Sequence, residues 1–168
     1  MNKFLAILAG ILAIIAVIPI DFLSWWKADV DPSIGANFSN YITAFAQFYK
    51  WNGSSYDIIP LDNMYLITGI LVIVGAVLLF AGGAKAIKAL AFLGALITIA
   101  GPIVFLIAHN GNDVLSAWYN LYTRNLFFGT DTIALWDLGG STTWYLNVGF
   151  FLPLGAGLLG FLSLKSNK

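Results

Sequence analysis

Four runs of about twenty apolar residues dominate the chain, over about 4–23, 64–81, 89–108 and 144–164. None of them carries a lysine or arginine, and the one acid, Asp21, stands at the far end of the first. A helix of that length crosses about 30 Å of hydrocarbon. Only 10% of the residues are charged and 60% are hydrophobic, whereas a soluble domain carries about 25% charged residues. The expected fold is therefore an all-α membrane protein: a four-helix transmembrane bundle in a single domain, 1–168, with the lipid bilayer as its main solvent. A small mixed outer layer would be formed by two extracellular loops. The stretch after Ile20, Asp21-Phe22-Leu23-Ser24-Trp25-Trp26, holds no small-x-small cleavage pattern, so the first run is expected to stay as a span.

Charge orients the four runs. Lys3, Lys85, Lys88, Lys165 and Lys168 fall at the N-terminus, in the inner turn 82–88 and in the C-terminal tail. With four spans these three places share one side. All eight aspartates lie on the other side, Asp21 at the outer end of the first run and the rest in outer loops 24–63 and 109–143, with only Lys27, Lys50 and Arg124. Basic residues collect on the cytoplasmic side. The expectation is an integral protein of the cell or plasma membrane, with N- and C-termini cytoplasmic and both loops extracellular.

Within the runs, small residues recur at four-residue spacing: Ala6/Gly10, Ala9/Ala13, Ala91/Ala95 and Ala156/Gly160. Small residues let helix backbones approach closely in lipid. Pro102 and Pro153 imply kinked helices whose freed carbonyls are covered by neighbours. The polar groups inside the runs are Thr68, Thr98, Asn147 and Ser163, and Asn147 is expected to bond across helices.

All six tryptophans and all seven tyrosines fall in the outer loops or at their membrane edge. An aromatic belt normally forms at both interfaces, so this one-sided placement implies loops that fold on each other around aromatic side chains. Tyr41, Phe45, Phe48 and Tyr49 recur at helical spacing, which predicts a helix over 41–51 capped by Asn40 and stopped at Asn52-Gly53. Asp113 would cap a second helix over 114–123, burying Leu115, Trp118, Tyr119 and Tyr122. Residues 125–128 and 132–136 would flank a hairpin turn at Gly129-Thr130-Asp131.

The chain has no cysteine, which excludes disulfides, thiolate metal sites and cysteine nucleophiles. The one histidine, His109, has Asp113 four residues on. That pair is a half-site for a metal or a base, but two ligands do not close a metal site; a histidine hydrogen-bonded or solvated at the membrane edge is the plainer reading. Proton and ion pathways use intramembrane ionisable residues, and these runs hold none between their ends. Phosphate-loop, nucleophile-elbow and dinucleotide patterns are missing, as is a basic patch for nucleic acid. No enzyme activity, cofactor, metal or nucleic-acid partner is expected. Two glycosylation sequons stand in the first outer loop, Asn37-Phe38-Ser39 and Asn52-Gly53-Ser54.

The plan of four spans, a larger first outer loop, a very short inner turn and a smaller second outer loop resembles the claudin and peripheral-myelin-protein group. Trp118-Tyr119-Asn120 is similar to the aromatic-Tyr-Asn of that group's second loop, and Asp137-Leu138-Gly139 to the acidic-Leu-Gly entering its last span. The group's first-loop signature ends Gly-Leu-Trp-Cys-Cys; here Trp25 and Trp26 are present and the cysteines are not. The resemblance implies a surface protein that works by contact.

The expectation for function is thus a non-enzymatic membrane protein whose aromatic outer loops mediate protein–protein or cell-surface contact. Trp25, Trp26, Trp51, Trp118 and Trp136 are the candidate contact residues. Partners would be other membrane or surface proteins, a second copy included. Two alternatives share these features: an accessory subunit of a respiratory or oxidase-type complex, and an oligomeric pore or carrier for an uncharged solute.

Overall fold

A computed structural model describes residues 1–110, 127–131 and 140–165. Along the chain it places α1 (Lys3–Ile15), a short 3-10 turn (Asp21–Leu23), β1 (Trp26–Pro32), β2 (Phe38–Ile42), β3 (Gln47–Trp51) and β4 (Tyr56–Pro60). Then follow α2 (Asn63–Lys85), α3 (Lys88–Asn110), β5 (Gly129–Asp131), β6 (Gly140–Leu146) and α4 (Val148–Ser163). The all-α expectation is therefore overturned: the protein is mixed α/β, with four helices and a six-stranded antiparallel sheet among the described residues.

Local chemistry sets the helix ends. The Asn2 side chain caps α1 by accepting from Leu5 N at 3.2 Å, and the Asp62 side chain caps α2 by accepting from Met64 N at 2.7 Å. The first apolar run is helical only to Ile15. Pro19 disfavours helical geometry in the residue before it, and the Trp25 indole donates to the Ala16 carbonyl at 2.8 Å, taking an acceptor that α1 leaves open at its end. The inner turn is tighter than expected. Helix α2 runs to Lys85 and α3 starts at Lys88, with Ala86 in the left-handed region at φ 56°.

The helices pack through small residues. The four expected small pairs are all buried. Helices α2 and α3 approach closely at Gly75 and Gly94, where a Cβ on Gly94 would sit 2.8 Å from the Gly75 carbonyl oxygen. The Asn2 amide donates to the Ser163 carbonyl at 2.7 Å, and Gly83 packs against Lys3 and Ile7. The start of α1, the end of α4 and the α2–α3 turn therefore lie together, which gathers Lys3, Lys85, Lys88 and Lys165 at the end of the helices away from the sheet.

The sheet order is β4-β3-β2-β1-β6-β5, with antiparallel neighbours throughout. Strand β1 pairs with β6 from Trp26↔Leu146 to Pro32↔Gly140, tying the segment before α2 to the segment before α4. The expected helix over 41–51 is replaced by the β2–β3 hairpin, which turns through Ala46 at φ 61°. Asn40 caps no helix; its side-chain oxygen accepts from Trp51 N at 2.7 Å across the sheet. Gly129-Thr130-Asp131, expected as a hairpin turn, is strand β5 on β6, and Gly129 lies under the Trp144 ring, where a Cβ has no room. The expected helix over 114–123 lies outside the described residues.

Residues 144–146, placed at the start of the fourth apolar run, belong to β6. Asn147 sits between that strand and α4. Its side-chain nitrogen donates to Asp21 O at 3.1 Å, Phe22 O at 3.3 Å and Ser24 Oγ at 2.8 Å. Its partner is the 3-10 turn below β1, rather than another helix.

Candidate functional site

Alternation along the strands gives the sheet two unlike faces. On β1, Trp26, Ala28, Val30 and Pro32 are buried while Lys27, Asp29 and Asp31 point the other way. The buried face lies on the helices. Trp26, Ala28, Ile42, Phe48 and Trp144 share one continuous core with Trp25, Tyr65, Phe105 and Phe150.

His109 is in this junction and fully buried. Its Nδ1 is 3.2 Å from the Tyr65 hydroxyl. Its ring stacks on Phe105 at 5.3 Å and 13°, with Trp26 at 5.5 Å. The histidine read from sequence as sitting at a membrane edge is thus enclosed in aromatic rings beneath the sheet. Asp113 lies outside the described residues. Among the described residues no group of three histidine or acidic side chains is placed to hold a metal ion.

The opposite face of the sheet is the candidate site. Register puts Tyr41 beside Tyr49, and Trp51 beside Tyr56. Tyr41 and Tyr49 stack at 4.7 Å and 6°; Tyr56 meets Tyr41 edge-on at 5.5 Å and Trp51 at 5.2 Å. These four rings form an aromatic strip across β2, β3 and β4. Its inner member, Tyr41, is 7% exposed, and Tyr56 at the edge is 39% exposed.

Beside the strip lies an ionic cluster. Lys27 Nζ is 3.0 Å from Asp21 and 3.5 Å from Asp29. Asp29 also accepts from Ser39 Oγ at 2.6 Å and from the Tyr145 hydroxyl at 2.7 Å. Burial works to raise the Asp29 carboxyl, but the Ser39 and Tyr145 hydrogen bonds and the Lys27 charge outweigh it and hold it below its ordinary value. Burial likewise works to lower Lys27, and Asp21 and Asp29 hold it above its ordinary value. Tyr41 is pushed up to about 12 by burial, with Tyr49, Tyr56 and Asp21 adding to it. Tyr145 is also pushed up to about 12, by burial and then by its bond to the Asp29 carboxylate. A polar cleft of about 430 Å³ adjoins the cluster, lined by Asp29, Asp31, Asn37, Ser39, Ser141 and Thr143 among others.

The structure sorts the expected contact residues. Trp25 and Trp26 are fully buried, so they hold the sheet to the helices and cannot meet a partner. Trp51 is half-buried at the edge of the aromatic strip. Trp118 and Trp136 lie outside the described residues. Asn37 and Asn52, the two sequon asparagines, are both exposed. The sequence reading missed Tyr41, Tyr49, Tyr56 and Tyr145 as one face. One signal was present in the period-two alternation of Trp26-Lys27-Ala28-Asp29-Val30-Asp31.

Two helices, α2 and α3, are long and apolar enough to cross a membrane, with 23 residues each and mean hydropathies of 2.6 and 2.5. Compared with known proteins, the chain matches no family model and no curated sequence.

Proposed function

We propose that the chain is an integral membrane protein that acts by contact through the exposed face of its sheet. The carrying observation is the half-exposed aromatic strip of Tyr49, Trp51 and Tyr56 set beside the Lys27–Asp21–Asp29 cluster. Aromatic rings with a polar surround are what the centres of protein contacts are made of.

The membrane part of the reading is supported by the helices being inside out. Thr68, Thr98 and Ser163 are fully buried, while Ile70, Val77, Leu96, Ile103, Phe151 and Leu158 face outward. Only 39% of the most apolar window of α2, and likewise of α3, is buried within the protein. A soluble core helix would be mostly buried, and its hydroxyls would be outside. An apolar groove of about 480 Å³ along α1 and α4, lined by Leu12, Phe151, Leu158 and Leu162 among others, also suits lipid. On this reading α1 and α4 also cross the bilayer, the lysine-bearing end is cytoplasmic, and the sheet is extracellular. The shared plan with the claudin and peripheral-myelin-protein group is part of the same proposal.

The test is a binding experiment with native partners in mild detergent. Replacing Tyr49, Trp51 and Tyr56 together by serine abolishes partner recovery while the protein keeps its elution volume and melting profile. Unchanged recovery with the triple variant overturns the contact reading. Stoichiometric recovery of cofactor-bearing subunits, insensitive to the strip, favours the accessory-subunit alternative instead.

A further inference from the structure

The β3–β4 loop holds an asparagine set up for a reaction of its own. Asn52 precedes Gly53, is exposed, and stands at the tip of the hairpin between Trp51 and Tyr56. Its side-chain oxygen accepts from Ser54 N at 3.1 Å, Ser55 N at 3.0 Å and Ser54 Oγ at 3.2 Å. Its side-chain nitrogen donates to Asp57 Oδ1 at 3.0 Å and Ser55 Oγ at 3.3 Å. The next backbone nitrogen, that of Gly53, donates no hydrogen bond within the described residues. Gly53 has φ 98°, and nothing lies within 4 Å of where its Cβ would be.

We propose that Asn52 is a site of spontaneous covalent modification, losing its side-chain nitrogen through cyclisation onto the Gly53 amide. The Gly53 nitrogen gives its proton to solvent base and bonds to the Asn52 Cγ. The carbonyl electron pair moves onto Oδ1, where the Ser54 and Ser55 amides and the Ser54 hydroxyl stabilise the developing charge, as donors do in an oxyanion hole. The pair returns as the bond to Nδ2 breaks, and the nitrogen leaves as ammonia after taking a proton from water. The product is a five-membered imide. One water then opens it at either carbonyl, leaving an aspartyl or isoaspartyl residue at that position. The net reaction is amide plus water to acid plus ammonia, with no redox partner. Glycine at 53 matters because it has no side chain to hinder the approach.

The consequence reaches the aromatic strip. The new carboxylate faces Asp57, which the asparagine nitrogen had held by a hydrogen bond; like charges so close repel. The isoaspartyl form also adds a backbone carbon to the loop that sets the Trp51↔Tyr56 pairing. The reaction further consumes the nitrogen that glycosylation of the Asn52 sequon would use.

The experiment ages the full chain, made in a host without N-glycosylation and purified in detergent, in mildly alkaline buffer at body temperature. Peptide mapping then follows residue 52, with Asn37-Phe38 and the second Asn-Gly pair, Asn110-Gly111, as internal comparisons. The expected result is a peptide around residue 52 that gains one dalton and contains isoaspartate. Hydroxylamine added to the folded protein cleaves after residue 52, trapping the imide without any substitution. In Gly53→Ala the mass gain is lost. The proposal is overturned if residue 52 keeps its amide in the folded chain, if only the denatured chain reacts, or if Asn37 converts as fast.

Discussion

The helical half and the sheet half of this molecule obey opposite rules. Among the helices the interior is mostly alanine, glycine and hydroxyls, and the outside is mostly isoleucine, leucine, valine and phenylalanine. In the sheet the interior is dominated by tryptophan, isoleucine and phenylalanine, and the outside is aspartate, lysine, serine and threonine beside the aromatic strip. The same chain thus uses large apolar groups as surface at one end and as core at the other. Burial of apolar area stabilises only where the alternative is water, so the sheet is held by that effect. Under the proposed membrane reading the helices are held by close backbone packing instead. Trp25 belongs to both halves, because its backbone amide donates to the Ile42 carbonyl of β2 at 2.8 Å while its ring packs on Phe105 and Phe150 of the helices and its indole nitrogen closes the end of α1.

The largest expected effect breaks the joint between the halves. Trp25→Ala removes a fully buried ring and leaves the Ala16 carbonyl without its donor. Large-to-small core changes of this kind cost about 3–5 kcal/mol. Thermal melts in detergent, read separately by tryptophan fluorescence and by far-UV circular dichroism, check it. The expected outcome is loss of sheet and of tertiary fluorescence at a lower temperature than loss of helix. Simultaneous loss of both signals would mean that the two halves are one cooperative unit.

A charge on the helical surface tests the solvent directly. Val77 is 57% exposed near the middle of α2. If lipid covers it, Val77→Lys costs about 2.5–3.5 kcal/mol of insertion at a helix centre. In water the same change falls within about 0.5 kcal/mol. Membrane-fraction yield and glycosylation-mapped insertion of the variant separate the two outcomes, with Thr143→Lys on the sheet's exposed face as the neutral comparison.

The same contrast explains how far the sequence could be read. The apolar runs declared helices because twenty residues without a charge admit little else, and α2 and α3 stand within a few residues of their expected bounds. The small pairs pointed to the buried faces for the same reason. The sheet was hidden because its strands are three to seven residues long. Over so short a stretch, Tyr41, Phe45, Phe48 and Tyr49 match a helical repeat as well as two strands do. Only the left-handed turn at Ala46 and the Asn40–Trp51 bond decide between them, and neither has a sequence signature. The candidate site was concealed by the same ambiguity. Alternation separates Trp26 from Lys27, and so core from surface, only once the residues are known to form a strand.

The exposed sheet face offers a smaller and pH-dependent effect. Tyr145→Phe removes the hydroxyl that bonds Asp29, and a hydrogen bond to a charged group contributes about 1.5–3 kcal/mol at most, less here because the pair is part-exposed. Asp29 is held below its ordinary value, so its contribution is present above the unfolded value of 3.8 and is lost as pH falls through the folded one. Tyr145→Phe should flatten that acid limb. At the other end, Tyr41 and Tyr145 lose their protons near 12 in the folded state and near 10.0 when unfolded. Stability therefore falls as pH rises from 10 to 12. Tyrosinate absorbance against pH should show a late step that Tyr145→Phe reduces and that vanishes on denaturation.

The smallest effect compares two alanines, one in each half, both in the left-handed region: Ala46 at the β2–β3 turn, φ 61°, and Ala86 at the α2–α3 turn, φ 56°. That conformation costs a non-glycine residue about 1–2 kcal/mol, and glycine's greater freedom in the unfolded chain returns about 0.5–1 kcal/mol of this. Ala86 is exposed, so Ala86→Gly should stabilise by about 0.5–1 kcal/mol. Ala46 is 9% exposed and belongs to the junction core. Losing its methyl group forfeits about 0.8 kcal/mol more, so Ala46→Gly should be close to neutral. Melting shifts for the two variants check the difference. Equal stabilisation would show that the Ala46 methyl contributes nothing to the core, and that the sheet half is less tightly packed at its first hairpin than its burial implies.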